Sequence, residues 1–275
     1  MAAIVTNKFR VHNAEQFYES FGGSSSREAS GTASTYYVFV GRPQQFSSTT
    51  GGGTDASPPT PVENPQEEYR HFRDMLAAKK VTSSDISFVV PRRNWTTATV
   101  YDEYRHDYSS TVTSTSSATT LFDATFYVMT DDYRVYKCMF NNSGAASTVE
   151  PTGTGNTEFT TGDSYVWKYM YTMTTTQVQN FLTSDFMPVI DSLGTVSCGS
   201  QCTVSSNAVD GEIRHIKITT AGVGYTNGTY TSVPIRGDGS SGTCTVVISG
   251  GAVTSVTVTA PVSYTHLTLP TNREV

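Results

Sequence analysis

Charge is the scarcest commodity in this sequence. Only 15% of its 275 residues are Asp, Glu, Lys or Arg, against about a quarter in an ordinary soluble domain. The balance is acidic, at −6, and no run of Lys and Arg gathers that could displace counterions from a nucleic acid backbone. Nucleic acid is therefore not an expected partner. No stretch approaches the roughly 20 apolar residues that cross a bilayer as a helix, so membrane insertion is not expected either. Met1 to Arg10 holds no apolar core of signal-peptide length. Cysteine is sparse as well. Cys198 and Cys202 stand close together in Ser-Cys-Gly-Ser-Gln-Cys, but Cys138 and Cys244 lie far away. A structural zinc site would need two more ligands at similar spacing. Ordinary thiols are the simplest reading, a local disulfide the minor one.

Signatures of catalysis are also scarce. Asp131-Asp132 is a carboxylate pair, but neighbours in a strand point to opposite faces, so a turn is the better reading. Arg105-His106-Asp107 sets a histidine among charges with no Gly-x-Ser-x-Gly elbow anywhere to supply a nucleophile. His71 has no second histidine four residues away, as the zinc-protease pattern requires. Gly222-Val223-Gly224 and Gly237-Asp238-Gly239 are not followed by the Lys-Ser/Thr of a phosphate loop. One Asp238 falls far short of the 6–8 oxygens of a calcium site. Neither a cofactor nor a metal is expected.

What fills the chain instead is Thr, Ser, Gly and 16 tyrosines, a composition suited to pleated, half-buried surfaces joined by turns. The fold class is read as mainly β: a β-sandwich-like domain with a few short helices, plus a small Gly-rich β repeat module. Strands are expected at Ile4–Phe9, Thr35–Val40 (buried on both faces), Ile86–Val90, Leu121–Thr130, Tyr133–Met139 and Tyr165–Met173. The last pair but one flanks a turn at Asp131-Asp132. A helix is expected over Ala14–Phe21 with Asn13 as N-cap. The clearest helix starts at Asn64-Pro65, with Glu67 and Glu68 in its first turn, Tyr69, Phe72, Met75 and Leu76 as its apolar stripe, and Lys79-Lys80 at its C-terminal end. A short helix is read at Thr176–Leu182. Gln44–Asn64 is a long Ser/Thr/Gly/Pro loop.

Beyond Leu193–Val209, a polar boundary, the character changes. Gly211, Ile213, Ile216 and Ile218 recur forty residues on as Gly251, Val253, Val256 and Val258, an internal repeat of a strand entered through a glycine turn. Tyr230–Ile235 and Thr243–Ser249 supply further short strands. The domain organisation read from this is 1–192 as the main β domain, 193–209 as linker and 210–261 as the repeat module. From Val262 to Thr271 the string Val-Ser-Tyr-Thr-His-Leu-Thr-Leu-Pro-Thr looks like a translated sequencing-library adaptor. Residues 262–275 are accordingly expected to be foreign, with the natural repeat cut short near Pro261.

The features that point to a function are those of interfaces. Tyr, Trp and Arg anchor protein contacts. Arg92-Arg93-Asn94-Trp95 places two guanidinium groups beside an indole, directly after a Pro-terminated strand. Such a cluster either pairs with a partner or pins its own loop to the core, and both readings stay open. Strand alternation sets Tyr165, Trp167 and Tyr169 on one face, with Val166, Lys168 and Met170 on the other. Trp167 is thus expected in the core and Arg92 to Trp95 in a loop or interface. The candidate interface or loop-anchoring residues are Arg92, Arg93, Trp95, Tyr165 and Trp167.

Six short motifs occur in order. They are Ala3-Ile4-Val5-Thr6-Asn7-Lys8-Phe9-Arg10, Phe17-Tyr18-Glu19-Ser20, Val40-Gly41-Arg42-Pro43, Pro58-Pro59-Thr60-Pro61, Val90-Pro91-Arg92-Arg93-Asn94-Trp95 and Gly162-Asp163-Ser164-Tyr165-Val166-Trp167-Lys168-Tyr169. Together they resemble the gene-eight-type baseplate wedge subunits of T-even-like contractile-tail phages, over about the first two thirds of the chain. The resemblance implies a mostly β, dimeric, non-enzymatic structural subunit that contacts other wedge proteins. It would be located in the virion's tail baseplate and assembled in the host bacterial cytoplasm. After about residue 190 the sequence departs from that family. Two other readings compete. One is a carbohydrate-binding receptor module of a tail fibre, using its tyrosines to stack on sugars. The other is a polysaccharide hydrolase using carboxylates such as Asp102, Glu103 or Asp107, which would have to face each other about 5–10 Å apart across a cleft.

Overall fold

The computed structural model describes residues 7–22, 34–41, 44–47, 52–60, 64–189, 212–236 and 241–260. The chain divides into two compact units, Met1–Val89 with Pro188–Val196, and Val90–Met187 with Ser197–Val275. The architecture is mainly β, built of small antiparallel sheets.

The first unit begins with helix α1, Asn7–Glu19. It overrides the expectation of a strand reaching Phe9, and Asn13 is helical rather than a cap; Met1 to Thr6 lie outside the described residues. Six alternating residues fit either period. Once Ala14-Glu15-Gln16 nucleate a helix, extending it backwards adds a hydrogen bond for each residue fixed. Gly22, at φ 81, closes the helix by donating to the Glu19 carbonyl at 2.8 Å, the left-handed stop that glycine permits. Phe17 and Phe21 meet edge-on at 5.0 Å, and Phe21 packs against Tyr36 at 4.4 Å.

Tyr36 opens strand β1, Tyr36–Gly41, which pairs antiparallel with β2, Met75–Val81. Between them lies α2, Pro65–Arg73. The long apolar stripe expected for this helix is cut at Arg73. Met75 and Leu76 begin a strand, and Lys79 and Lys80 stand in β2 rather than at a helix end. Pairing with β1 decides the matter. Val40 lies opposite Ala77, and Gly41 opposite Met75, where a Cβ on Gly41 would sit 3.1 Å from the Asp74 carbonyl oxygen. Glycine lets the two backbones close at the point where helix becomes strand. Lys79 pairs with Asp85 at 2.5 Å. β1 is not buried on both faces as expected: its burial runs from half-buried at Tyr36 to exposed at every later residue.

The chain continues through β3, Phe88–Pro91, whose hydrogen-bonded neighbour is β8, Phe186–Val189. The main sheet of the second unit has the order β4-β5-β7-β6. Its strands are β4 (Tyr127–Met129), β5 (Arg134–Phe140), β6 (Phe159–Thr160) and β7 (Val166–Thr172). β4 is far shorter than the stretch from Leu121 expected for it. The β4–β5 connection is the turn read at Asp131-Asp132, closed by Tyr133 donating to the Thr130 carbonyl at 3.0 Å. The short helix α3, Thr175–Phe181, is capped by Thr174, whose hydroxyl accepts from the Gln177 amide while the Gln177 side chain accepts in return.

β7 alternates strictly, with Trp167, Tyr169 and Tyr171 buried and Val166, Lys168 and Met170 partly exposed. Its partner β5 turns Val135, Tyr136 and Cys138 inward. The register sets Cys138 opposite Trp167 and Tyr136 opposite Tyr169. Tyr165 stacks on Trp167 at 5.5 Å and Tyr101 meets it edge-on at 5.8 Å. Such ring pairs add about 0.5–1.5 kcal/mol each beyond their burial.

Toward the C-terminus the second unit carries a separate antiparallel sheet in the order β11-β10-β9, comprising β9 (Gly228–Pro234), β10 (Thr243–Ser249) and β11 (Ala252–Ala260). The repeat strand expected around Ile213–Ile218 has no strand assignment beyond a single bridge at Glu212. The boundary at 193–209 and the foreign tail at 262–275 lie outside the described residues. Cys138 and Cys244 are free and buried. Trp167 is fully enclosed, so Trp167→Ala is expected to lower stability by about 3–5 kcal/mol, read as a shifted urea midpoint at unchanged slope.

Candidate assembly interface

The Arg92–Trp95 cluster is stitched to its own unit. Asn94 bridges to Met129 in parallel, with the Trp95 amide donating to the Met129 carbonyl at 2.8 Å and the Met129 amide to that of Arg93 at 2.7 Å. The Arg92 guanidinium donates to Asn94 Oδ1 and to the Thr183 carbonyl, both at 2.9 Å. Arg93 stacks over the Tyr127 ring at 5.2 Å. The Trp95 ring packs on the aromatic core, and its Nε1 donates to Ser147 Oγ at 3.2 Å. Tyr165 is buried with Trp167. Its phenol, pushed up to about 12 by burial, stays protonated and donates to the Ala145 carbonyl.

Two carboxylates, neither singled out by sequence as a structural anchor, organise the long loops around this core. Asp102, wholly buried, accepts from the Ser116 amide at 2.8 Å and hydroxyl at 2.6 Å. It also accepts from the Thr125 amide at 2.7 Å and hydroxyl at 3.1 Å. Asp163 accepts from the amides of Thr148 at 2.7 Å and Val149 at 3.0 Å, and from the hydroxyls of Ser147 at 3.0 Å and Thr161 at 2.5 Å. Burial pushes both acids up, but these donors outweigh it. Asp102 ends below its ordinary value, and Asp163 is held down at about 2. The other carboxylates weighed for hydrolysis are also engaged. Asp107 takes a two-pronged contact from Arg105 at 2.9 and 2.7 Å, and Glu103 receives Lys217 Nζ at 2.6 Å. Among the described residues no group of three or more His, Cys, Asp or Glu could hold a metal ion, and no helix is long and apolar enough to cross a membrane.

The unsatisfied surface lies in the first unit, in residues that sequence reasoning placed inside. On the two-stranded β1–β2 sheet Tyr37 is 65% exposed, Val38 58%, Val40 63% and Leu76 64%. On the helices of the same unit Phe17, Tyr69 and Phe72 are also exposed. Scattered single apolar residues on a surface are ordinary, but a contiguous strand of them marks a contact site. The run Tyr-Tyr-Val-Phe-Val looks the same whether its cover comes from its own chain or another, so the sequence carried no signal separating the two.

Removing the Asp163 charge leaves those four donors and the Tyr165 amide, at 3.3 Å, facing a neutral acceptor. Asp163→Asn is expected to cost about 2 kcal/mol at pH 7. Because the folded value is depressed, the stabilisation is complete above about pH 4 and disappears as pH falls through about 2. Urea midpoints of the wild type and Asp163→Asn should therefore converge on acidification; a gap independent of pH would show that the charge is not the cause.

Two comparisons bear on this arrangement. The baseplate wedge protein gp8 of Enterobacteria phage T4 is 25% identical over 216 residues, covering 68% of this chain and 60% of that protein, so the chain spans under two thirds of its relative. A family model described as Bacteriophage T4, Gp8 matches residues 3–143. That match runs through α1, the exposed β1–β2 sheet, the Arg92–Trp95 segment and the β4–β5 strands, and on its extent this chain belongs to the Gp8 family.

Proposed function

We propose that this protein is a structural subunit of a phage tail baseplate wedge, acting by protein–protein assembly and not by catalysis. Its partners on this reading are other wedge proteins and a second copy of itself. Its place is the virion's tail baseplate, after assembly in the host bacterial cytoplasm. Family membership supports the assembly, and the observation that carries the mechanism is the exposed apolar β1–β2 sheet. Its exposed residues 37–40 and Leu76 are what a permanent interface covers, since obligate contacts resemble a core cut in two. The sugar-binding reading loses ground because much of the tyrosine that suggested it is interior: Tyr101, Tyr136, Tyr165, Tyr169 and Tyr171 are all buried.

Light scattering of the full chain, alone and mixed with a wedge protein encoded by the same phage, tests the proposal. A dimer that enters a larger stable complex is expected. The double substitution Val38→Glu, Val40→Glu should abolish one or both associations while leaving the main unfolding transition in place, because both side chains are exposed in the isolated subunit. A monomer or trimer indifferent to the partner would overturn the reading.

A further inference from the structure

On the face of the main sheet turned away from the aromatic core, two cations bracket a row of rings. Val128 and Tyr136 point inward, so their strand neighbours Tyr127 and Lys137, which lie opposite each other in the β4–β5 register, point outward. The Tyr127 ring meets Phe126 at 5.2 Å, and Phe126 meets Tyr104 at 5.4 Å, both edge-on. The Tyr127 hydroxyl donates to the Pro91 carbonyl at 2.8 Å, which fixes that ring. The Arg93 guanidinium lies over the Tyr127 end of the row at 5.2 Å, and the Lys137 ammonium over the Tyr104 end at 4.4 Å. Tyr104 is exposed, while Phe126, Tyr127, Arg93 and Lys137 are half-buried. Phe122, whose carbonyl receives an Arg93 N–H at 3.4 Å, stands beside the row with 76% of its surface exposed.

The charge on this row is met by rings and carbonyls. Besides Tyr127, the Arg93 guanidinium reaches the carbonyl oxygens of Phe122 and Asp123 at 3.4 to 3.5 Å. Among the described residues neither Arg93 nor Lys137 forms an ion pair. On the other side of β5, Lys137 stands opposite Lys168, whose Nζ donates to the Asn156 carbonyl at 2.9 Å. Like charges directly opposite each other destabilise a ladder. Burial first, and Lys168 second, push the Lys137 ammonium below its ordinary value, with Glu158 acting against them. A ring face gives an exposed cation about 0.5–1 kcal/mol, less than the about 1.5–3 kcal/mol of a hydrogen bond to a charged group.

We infer that this row is a docking surface for an acidic segment of another protein, whose carboxylates pair with Arg93 and Lys137 and whose backbone crosses Tyr127, Phe126 and Tyr104. Charge commits the occupant. A guanidinium stacked on a ring still offers its N–H edge to a carboxylate in the same plane. An apolar partner would instead bury both cations without a counter-charge, which is costly. A nucleic acid would release counterions at about two phosphates here, too few to hold it on a chain of net charge −6. Rings beside paired charges are the composition of a contact that holds a partner in place. The surface belongs to the second unit and is separate from the β1–β2 sheet, so the inference stands whether or not the chain is a wedge subunit.

The test uses the full chain and a fluorescein-labelled octaglutamate peptide, with binding read by anisotropy at low ionic strength. Binding is expected, and it should weaken about tenfold in the double variant Arg93→Gln, Lys137→Gln. The double variant Lys79→Gln, Lys80→Gln removes the same charge from exposed positions of β2 and should change the affinity by about twofold at most. Carbodiimide coupling on the wild type gives a readout that needs no variant: activated peptide carboxylates should form amides with Lys137, located by mass spectrometry. No binding, an equal loss in both double variants, or amide links that spare Lys137 would overturn the inference. A thymidine octanucleotide that competes as well as octaglutamate would also overturn it, in favour of a nucleic acid. Links from Lys137 to the acids of a second copy, with the peptide excluded, would overturn it in favour of self-association.

Discussion

The second unit depends on the pairing of β5 with β7. That ladder sets Cys138 against Trp167 and Tyr136 against Tyr169, and the aromatic cluster, the Tyr101 and Trp95 contacts and the short flanking strands all pack onto what it presents. A slip of one residue would exchange Trp167, Tyr169 and Tyr171 for Val166, Lys168 and Met170 on the buried side. A valine, a lysine and a methionine in those positions could not fill the volume of the rings, and Lys168 would have to lose its charge or its hydration. The strict alternation is therefore what selects the register.

Around this ladder the chain makes wide loops with little regular structure between Arg92 and Phe126. Loops of that length carry many backbone amides that neither helix nor sheet satisfies. The chain, poor in charge, uses two of its acids for them. Asp102 ties residues 116 and 125 together, and Asp163 ties residues 147 to 149 to the start of β7. A carboxylate has about four acceptor sites and no donor, which suits a cluster of convergent N–H and O–H groups. The abundant Ser and Thr are the matching donors. Composition and loop structure are in this sense one fact.

How far the sequence disclosed this depended on the range of the deciding interaction. β7, α3 and β10 were legible because alternation, a short helical run and a bounded β-branched run are local signals. The face carrying Trp167 was legible for the same reason. The end of α2 and the existence of β2 were not, since both are settled by pairing with β1, and the α1 start was not, since six alternating residues fit either period. Arg92, Arg93 and Trp95 stood out by type, but their partners, Thr183, Tyr127 and Ser147, have no sequence mark. Asp102 drew attention as a possible hydrolytic carboxylate and Asp163 as part of a short motif, neither as a loop anchor. The apolar strand β1 read as interior because hydrophobicity reports a need for cover and not its source.

A two-stranded sheet is marginal in water, and β1 with β2 shows exposed apolar side chains. Cover on that surface, whatever its source, favours the ordered form over the unfolded one, so the first unit gains stability in step with how tightly it is covered. If the cover is the wedge assembly proposed above, folding of the first unit and incorporation are one coupled process.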